Sequence, residues 1–262
     1  QFNQYKKFLI NHQFQKSTSL DYLKKTHLID LFDLEERQRL YSCKKEKTTA
    51  NLTIDRNNIL WDSINICKHQ NMINKTIHIS YKKEQGFDAG GLRRDWFTNV
   101  SQKIIESGVF IPTPNGNTFT FNPNKYNGHI IEFTGKLIAF ALSNNTNMPI
   151  RLSSWIWKYL LNEEITLDDI NDYDSEIYRS LKWISENDPE QLNMTFTNSF
   201  DMPLIRNGDK IFLNESNKNE YIKLMIKDIL IKSCNHSMHV LKSGFLKNAN
   251  TNRLKMFLTS ND

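Results

Sequence analysis

Cysteine is scarce in this sequence: Cys43, Cys67 and Cys234 are the only three in 262 residues, and no two form a C-x-x-C pair. That excludes a disulfide framework and fits a reducing cytoplasmic or nuclear setting. Long apolar runs are missing as well. The longest near-continuous one, Leu137 to Leu142, falls far short of the roughly 20 residues that span a bilayer. No charged-then-apolar leader opens the chain, and it begins at Gln1, so the expectation is a fragment of a longer protein without a secretion signal. G-x-S-x-G, H-E-x-x-H and paired-carboxylate patterns are absent, so none of these motifs points to a catalytic site. Alanine falls to 5 and glycine to 9 while asparagine rises to 31. The 7 N-x-Ser/Thr sequons barely exceed the roughly 4 that chance gives such a composition, so they read as a composition bias rather than a glycosylation program.

What is present describes a folded domain. Apolar residues make up 39% of the chain and charged residues 24%, and 16 Phe, 9 Tyr and 5 Trp give an aromatic load that disordered chains lack. The net charge of +5 is too mild to argue nucleic-acid binding by itself. Its distribution is more telling. Residues 1 to 50 carry ten Lys/Arg against six acids, whereas residues 162 to 190 carry ten acids against Arg179 and Lys182, a net −8. A solvated face accounts for such a stretch, and so does a docking surface for a basic partner, because complementary charge raises the encounter rate.

Hydrophobic spacing predicts an α+β chain that is mostly helical. Phe2, Tyr5, Phe8 and Leu9, then Leu28, Leu31, Phe32 and Leu40, recur at helical spacing, and Asn57 to Gln70 repeats the pattern through Ile59, Leu60, Ile64 and Cys67. The period then changes to two at Ile77, Ile79 and Tyr81, a half-buried strand. Helical spacing returns from Leu92 through Trp96, Val100 and Ile104, and short β pieces are expected at Val109–Ile111 and Thr118–Phe121. Residues 127 to 143 are apolar nearly all round, as a central core helix would be. Further helices are predicted at Ser153–Leu161 and after Asp174, an N-cap for Ile177, Tyr178, Leu181 and Ile184. A hairpin around Asn207-Gly208 and a long helix capped by Asn214 through Tyr221, Leu224, Met225 and Leu230 complete the reading.

Two small motifs invite chemistry. Gly86 to Gly91 follows a strand and opens a helix, the setting of a phosphate-binding loop, but matches neither glycine-rich fingerprint and lacks the lysine, so a tight turn is the better reading. Arg93, Arg94 and Asp95 then fall in the first helical turn, with pairing to nearby acids or carbonyls expected. Cys234, His236 and His239 lack a fourth ligand for a metal and a placed base for a thiol nucleophile, so Cys234 reads as a small core residue, as do Cys43 and Cys67. No cofactor and no metal is expected.

Several of these segments together resemble one family. YKKEQGFDAGGLRRDWF (Tyr81–Phe97) looks like the signature of HECT ubiquitin ligases, and ITLDDINDYDSEIYRSLKWISENDPEQLNMTF (Ile165–Phe196) and NGDKIFLNESNKNEY (Asn207–Tyr221) resemble two later family segments. Gly244-Phe245, Leu254 and Phe257 extend the likeness, which covers about residues 55 to 258. The resemblance implies a HECT N-lobe with a large helical subdomain (1–169 and 233–262) and a smaller one (170–232) that docks a ubiquitin-conjugating enzyme. By motif position the docking residues are Ile177, Leu181, Leu192 and Tyr221. The family's acceptor cysteine sits in a C-lobe that this sequence does not reach, so the resemblance implies a transferase parent and a fragment inactive alone. Where some relatives hold a second ubiquitin through an aromatic, this chain has Glu106-Ser107-Gly108, so ubiquitin itself should bind weakly or indirectly. Protein substrates are expected to engage regions outside the chain, with no nucleic-acid or membrane partner. The alternative is a non-catalytic binding module for a conjugating enzyme or ubiquitin; nucleic-acid binding through the basic first fifty residues is a weaker third.

Overall fold

A computed structural model describes residues 48–69, 72, 75–84, 90–144 and 146–249. The expected helices of the first forty-seven residues, Cys43, most of the glycine turn, Leu254 and Phe257 lie outside the described residues. The chain falls into two compact units: residues 1–109, 127–150 and 240–262 form one, and 110–126 with 151–239 the other. The expected small subdomain, 170–232, lies wholly inside the second.

The first unit opens with β1 (Thr49–Ile54), which pairs in parallel with β2 (Thr76–Tyr81) from Thr49↔Thr76 to Ile54↔Tyr81. Ala50, Leu52 and Ile54 are buried on β1, and Ile77, Ile79 and Tyr81 on β2. That is the period-two alternation of a sheet with one covered face. Parallel strands need a crossover, and α1 (Ile59–His69) lies in the connection, burying Ile59, Leu60, Ile64 and Cys67. The partner strand β1 is a correction: the first fifty residues read as helices from their spacing, yet Thr49 and Ala50 already belong to this strand. Its alternation is short, and its pairing partner lies 27 residues away, beyond any local signal.

Gly90, at φ 100°, starts α2 (Gly91–Glu106), a conformation costly for any residue with a Cβ. This helix buries Trp96, Phe97, Val100 and Ile104, and the Trp96 indole Nε1 donates to Ser63 Oγ on α1 at 2.8 Å. Asp95 accepts from Tyr81 Oη at 2.7 Å and from Arg56 at 2.8 Å, and Arg56 stacks on the Tyr81 ring at 3.6 Å. The central helix α3 (Gly128–Asn144) is buried on nearly every side, as its composition predicts. It takes a close neighbour: a Cβ on Gly135 would stand 2.1 Å from Leu241 O, and one on Gly244 would stand 2.0 Å from Glu132 O. Gly244, Leu241 and Phe245 belong to α8 (Asn235–Leu246), whose second half lies in this unit. Two glycines are what let these backbones touch.

In the second unit β3 (Phe110–Pro112) and β4 (Phe119–Phe121) form a short antiparallel pair, and Phe110, Phe121 and Trp155 pack ring to ring. Helices α4 (Ser154–Leu161), α5 (Leu167–Tyr173), α6 (Ser175–Glu186) and α7 (Lys218–Lys227) follow. The expected hairpin of 196–212 is not a ladder. Thr195 bridges Phe212 and Thr197 bridges Pro203, but the interior is a set of turns, including a 3₁₀ turn at Gly208–Lys210. Proline has no N–H to continue the ladder. Gly208 instead tucks under Phe196, where an added Cβ would lie 2.5 Å from Phe196 O. The helix expected to run on from Asn214 also differs: Asn217 is its N-cap, it ends at Lys227, and Asp228–Lys232 widens into a π-turn. Asn214 serves the turn before it, accepting from Ser216 N and Asn217 N. Among the described residues no helix is long and apolar enough to cross a membrane.

Candidate functional site

The acidic stretch turns out to do two jobs. Asp172 accepts from Ser153 Oγ and Ser154 N, both at 2.9 Å, which caps α4. Asp169 is 3% exposed, accepts from Thr166 N at 2.7 Å in a capping box, and pairs with Lys158 at 2.8 Å. Asp174 accepts from Glu176 N and Ile177 N at 2.9 and 3.1 Å, the N-cap expected for α6. Each satisfies backbone donors that a helix start leaves open. Glu163, Glu164, Asp168, Glu176, Glu186, Asp188 and Glu190 remain exposed. The solvated-face and internal roles therefore coexist along one segment.

Capped in this way, α6 turns Ile177, Leu181 and Ile184 to one side, the i, i+4, i+7 row of a helix. These residues line a groove of about 620 Å³ together with Tyr221 and Met225 of α7 and Met194 and Thr195 of the intervening segment. Leu181 and Tyr221 form its floor, only 3% and 2% exposed, while Ile177 is half-buried. The Tyr221 ring meets Phe196 edge-on at 5.5 Å between centroids, and its hydroxyl donates to Thr197 O at 3.3 Å. Burial raises the Tyr221 phenol above its ordinary pKa, so it stays a neutral donor. Two acids, Glu176 and Asp201, line the groove, with no Lys, Arg or His among the lining residues.

A buried lysine holds the two helices. Lys218 is 7% exposed; its ammonium donates to Asn187 O, just past the end of α6, at 3.0 Å and pairs with Glu215 at 2.8 Å. A cation at a helix C-terminus satisfies open carbonyls and meets the negative end of the dipole.

Three of the four residues singled out by motif position thus meet in one groove. Leu192 does not line it; it sits in a 3₁₀ turn, Glu190–Leu192, and is 43% exposed. Ile184, Met194 and Met225 are lining residues that the motif comparison does not single out. Ile184 and Met225 repeat the spacing of Leu181 and Tyr221 by one further helical turn, a signal that could have found them; Met194 carries no periodic signal.

The remaining chemical candidates resolve as structure. Cys234 lies in the turn before α8, not within a long helix, and its thiol donates to Leu230 O at 2.9 Å. Burial pushes the Cys234 thiol up to about 11 and that of Cys67 up to about 12. His236 pairs with Tyr126 Oη at 2.9 Å and His239 with Tyr159 Oη at 3.1 Å. No group of three potential metal ligands occurs among the described residues.

An α+β, mostly helical chain thus carries an apolar groove with two acids, Glu176 and Asp201, in its lining. Comparison with known proteins makes the class specific. Residues 98–261 match the HECT-domain (ubiquitin-transferase) profile, which spans more than half of the chain, and the protein belongs to that family. Its fold is accordingly that of the helical HECT N-lobe expected from the sequence. It is 28% identical over 226 residues to the E3 ubiquitin-protein ligase TOM1 of Saccharomyces cerevisiae, covering 79% of this chain and 7% of that protein. The E3 ubiquitin-protein ligase TOM1-like of Neurospora crassa is 31% identical over 185 residues (64% of this chain, 4% of that protein). The mouse E3 ubiquitin-protein ligase NEDD4 is 28% identical over 248 residues (86% and 28%). The chain therefore spans only a small part of the relatives it matches.

Proposed function

We propose that this chain is the recruiting part of a ubiquitin-protein ligase. Its groove between α6 and α7 docks a ubiquitin-conjugating enzyme, and ubiquitin passes by transthioesterification to a cysteine outside this chain and then to substrate lysines. The observation that carries the reading is the convergence of Ile177, Leu181 and Tyr221 on one groove of about 620 Å³ inside the HECT-matched segment. A concave site with an apolar floor and a half-open wall residue, Ile177, favours a partner that covers it. The acids that rim the groove suit a basic surface and should make association weaken with salt.

The two thiols among the described residues support the second half of the proposal. A transthioesterification acceptor must be a reachable thiolate. Cys67 and Cys234 are buried, with thiols pushed to about 12 and about 11, so neither suits the role. Free ubiquitin should bind weakly here, since Glu106, Ser107 and Gly108 form only a helix end, with Ser107 N and Gly108 N donating to Lys103 O and Ile105 O. The test is a calorimetric titration of the chain with purified conjugating enzymes at two salt concentrations, beside an Ile177→Lys variant. Micromolar binding that weakens with salt and vanishes in the variant supports the proposal. Equal binding by the variant overturns it.

A further inference from the structure

At the edge of the groove the chain displays apolar side chains that its own fold does not use. Phe200 is 83% exposed, the most of any large apolar residue among those described, and Met202 is 59% exposed. An exposed phenylalanine on a slack loop would mean little, but this loop is tied down from within. The Asn198 side chain accepts from Phe200 N at 3.0 Å and Met202 N at 3.1 Å, and Asn198 N donates to Met202 O at 2.9 Å. Asp201 N donates to Asn198 O at 3.0 Å, with Asp201 itself at φ 56°. Asn198 Nδ2 then donates to Asp228 Oδ2 at 2.9 Å, fixing the loop to the π-turn that follows α7. Thr197 and Pro203 close it with a β-bridge.

The consequence is a preformed turn whose backbone N–H groups are tied to Asn198 and whose two large apolar side chains face water. Ordering a loop costs conformational entropy, and exposing Phe and Met forgoes their burial. A loop that bears both costs in the free protein is built for a contact made elsewhere, since rigidity in the bound shape removes an ordering cost at association. The loop is also continuous with the groove, because Asn198, Ser199 and Asp201 are lining residues. Its charge indicates the occupant: Glu176 and Asp201 are the groove's charged residues.

We propose that Phe200 and Met202 form a preset apolar anchor that selects among ubiquitin-conjugating enzymes, favouring those that offer a shallow apolar recess flanked by basic side chains. The proposal rests on the docking reading above and adds to it a selectivity element outside α6 and α7.

The experiment titrates the 262-residue chain and three variants, Phe200→Ala, the Phe200→Ala/Met202→Ala pair and Ile177→Lys, against a panel of purified conjugating enzymes. Because Phe200 is nearly free of contacts, the melting temperature of the first two should equal the parent's. Binding to the preferred enzymes should fall about five- to thirtyfold, as truncated anchors do, while the weakest binders change little, so that the spread across the panel narrows. If the paired variant binds every enzyme like the parent while Ile177→Lys binds none, the groove stands and the anchor is refuted. If Ile177→Lys also binds like the parent, or no enzyme binds at all, the docking reading fails and the anchor with it. If the parent sediments as a dimer that Phe200→Ala makes monomeric, the loop is a self-association patch, which overturns the proposal.

Discussion

Truncating the groove floor and truncating its wall should have separable effects. Leu181 is 3% exposed and Ile177 is half-buried, yet both line the same groove. Leu→Ala in a packed core costs about 2–5 kcal/mol, of which part is the empty cavity left behind. At Leu181 the space vacated opens into an existing groove, so water fills it and the cavity contribution is small. The expected loss is therefore at the lower end, about 2–3 kcal/mol, or roughly 4–12 °C in Tm at about 2–4 °C per kcal/mol. Ile177→Ala removes less buried surface, and its stability cost should be about 1 kcal/mol. Binding reverses the order of interest: Ile177→Ala should cost about 1–2 kcal/mol of affinity, roughly five- to thirtyfold. Because Leu181→Ala weakens the floor and the fold together, its binding loss is interpretable only below its own melting transition. The assay is a thermal melt of each variant paired with calorimetry against one conjugating enzyme at 20 °C. A Leu181→Ala protein as stable as the parent would contradict the burial assigned to the floor. An Ile177→Ala protein that binds like the parent would remove the wall from the interface.

Three further outcomes follow from the packing and the charges. Gly244→Ala should destabilise the chain severely, by more than about 3 kcal/mol, because its Cβ would meet Glu132 O at 2.0 Å; soluble expression and a melt decide, and a variant melting near the parent would refute the contact. Acid should weaken the first unit: the hydrogen bond and charge of Lys82 hold Asp62 below its ordinary pKa, and at Asp95 the bonds from Tyr81 and Arg56 outweigh the upward push of burial. For carboxyls depressed in the folded state the stability is complete above the unfolded pKa of about 4 and is lost as pH falls through the folded values, so chemical denaturation midpoints should drop below pH 4, less steeply in Asp62→Asn. Native Cys67 and Cys234 should resist iodoacetamide at pH 8, since burial holds both thiols protonated; rapid alkylation of either, read by mass spectrometry, would reverse that assignment.

Much of this molecule was legible where the signal is local. The row of Ile177, Leu181 and Ile184, the Asp174 cap, the apolar α3 and the alternation of β2 each follow from spacing within one element, and the structure has them. What depends on distant pairing was not. The parallel partner of β2 is recognisable only once α1 has returned the chain to it. The turn-rich segment from Phe196 to Phe212 reads as a hairpin because Asn207-Gly208 is a turn signal; Gly208 is needed for its close approach to Phe196. Burial along the groove was hidden too. Motif position places Leu181 and Tyr221 with Ile177, but only the packing of Phe196 against Tyr221 makes them floor rather than rim. The acidic stretch carried two meanings because a carboxylate capping a helix and one facing water are the same letter in a sequence.

The cleft between α6 and α7 is the proposed docking site of a conjugating enzyme. It is tested most directly by two-dimensional NMR of the isotopically labelled chain titrated with an unlabelled conjugating enzyme. Saturable shifts should centre on Ile177, Thr195, Asn198 and Met225 and be lost when Ile177→Lys replaces the parent. Saturable shifts confined to other surfaces, with these four unmoved, would contradict it.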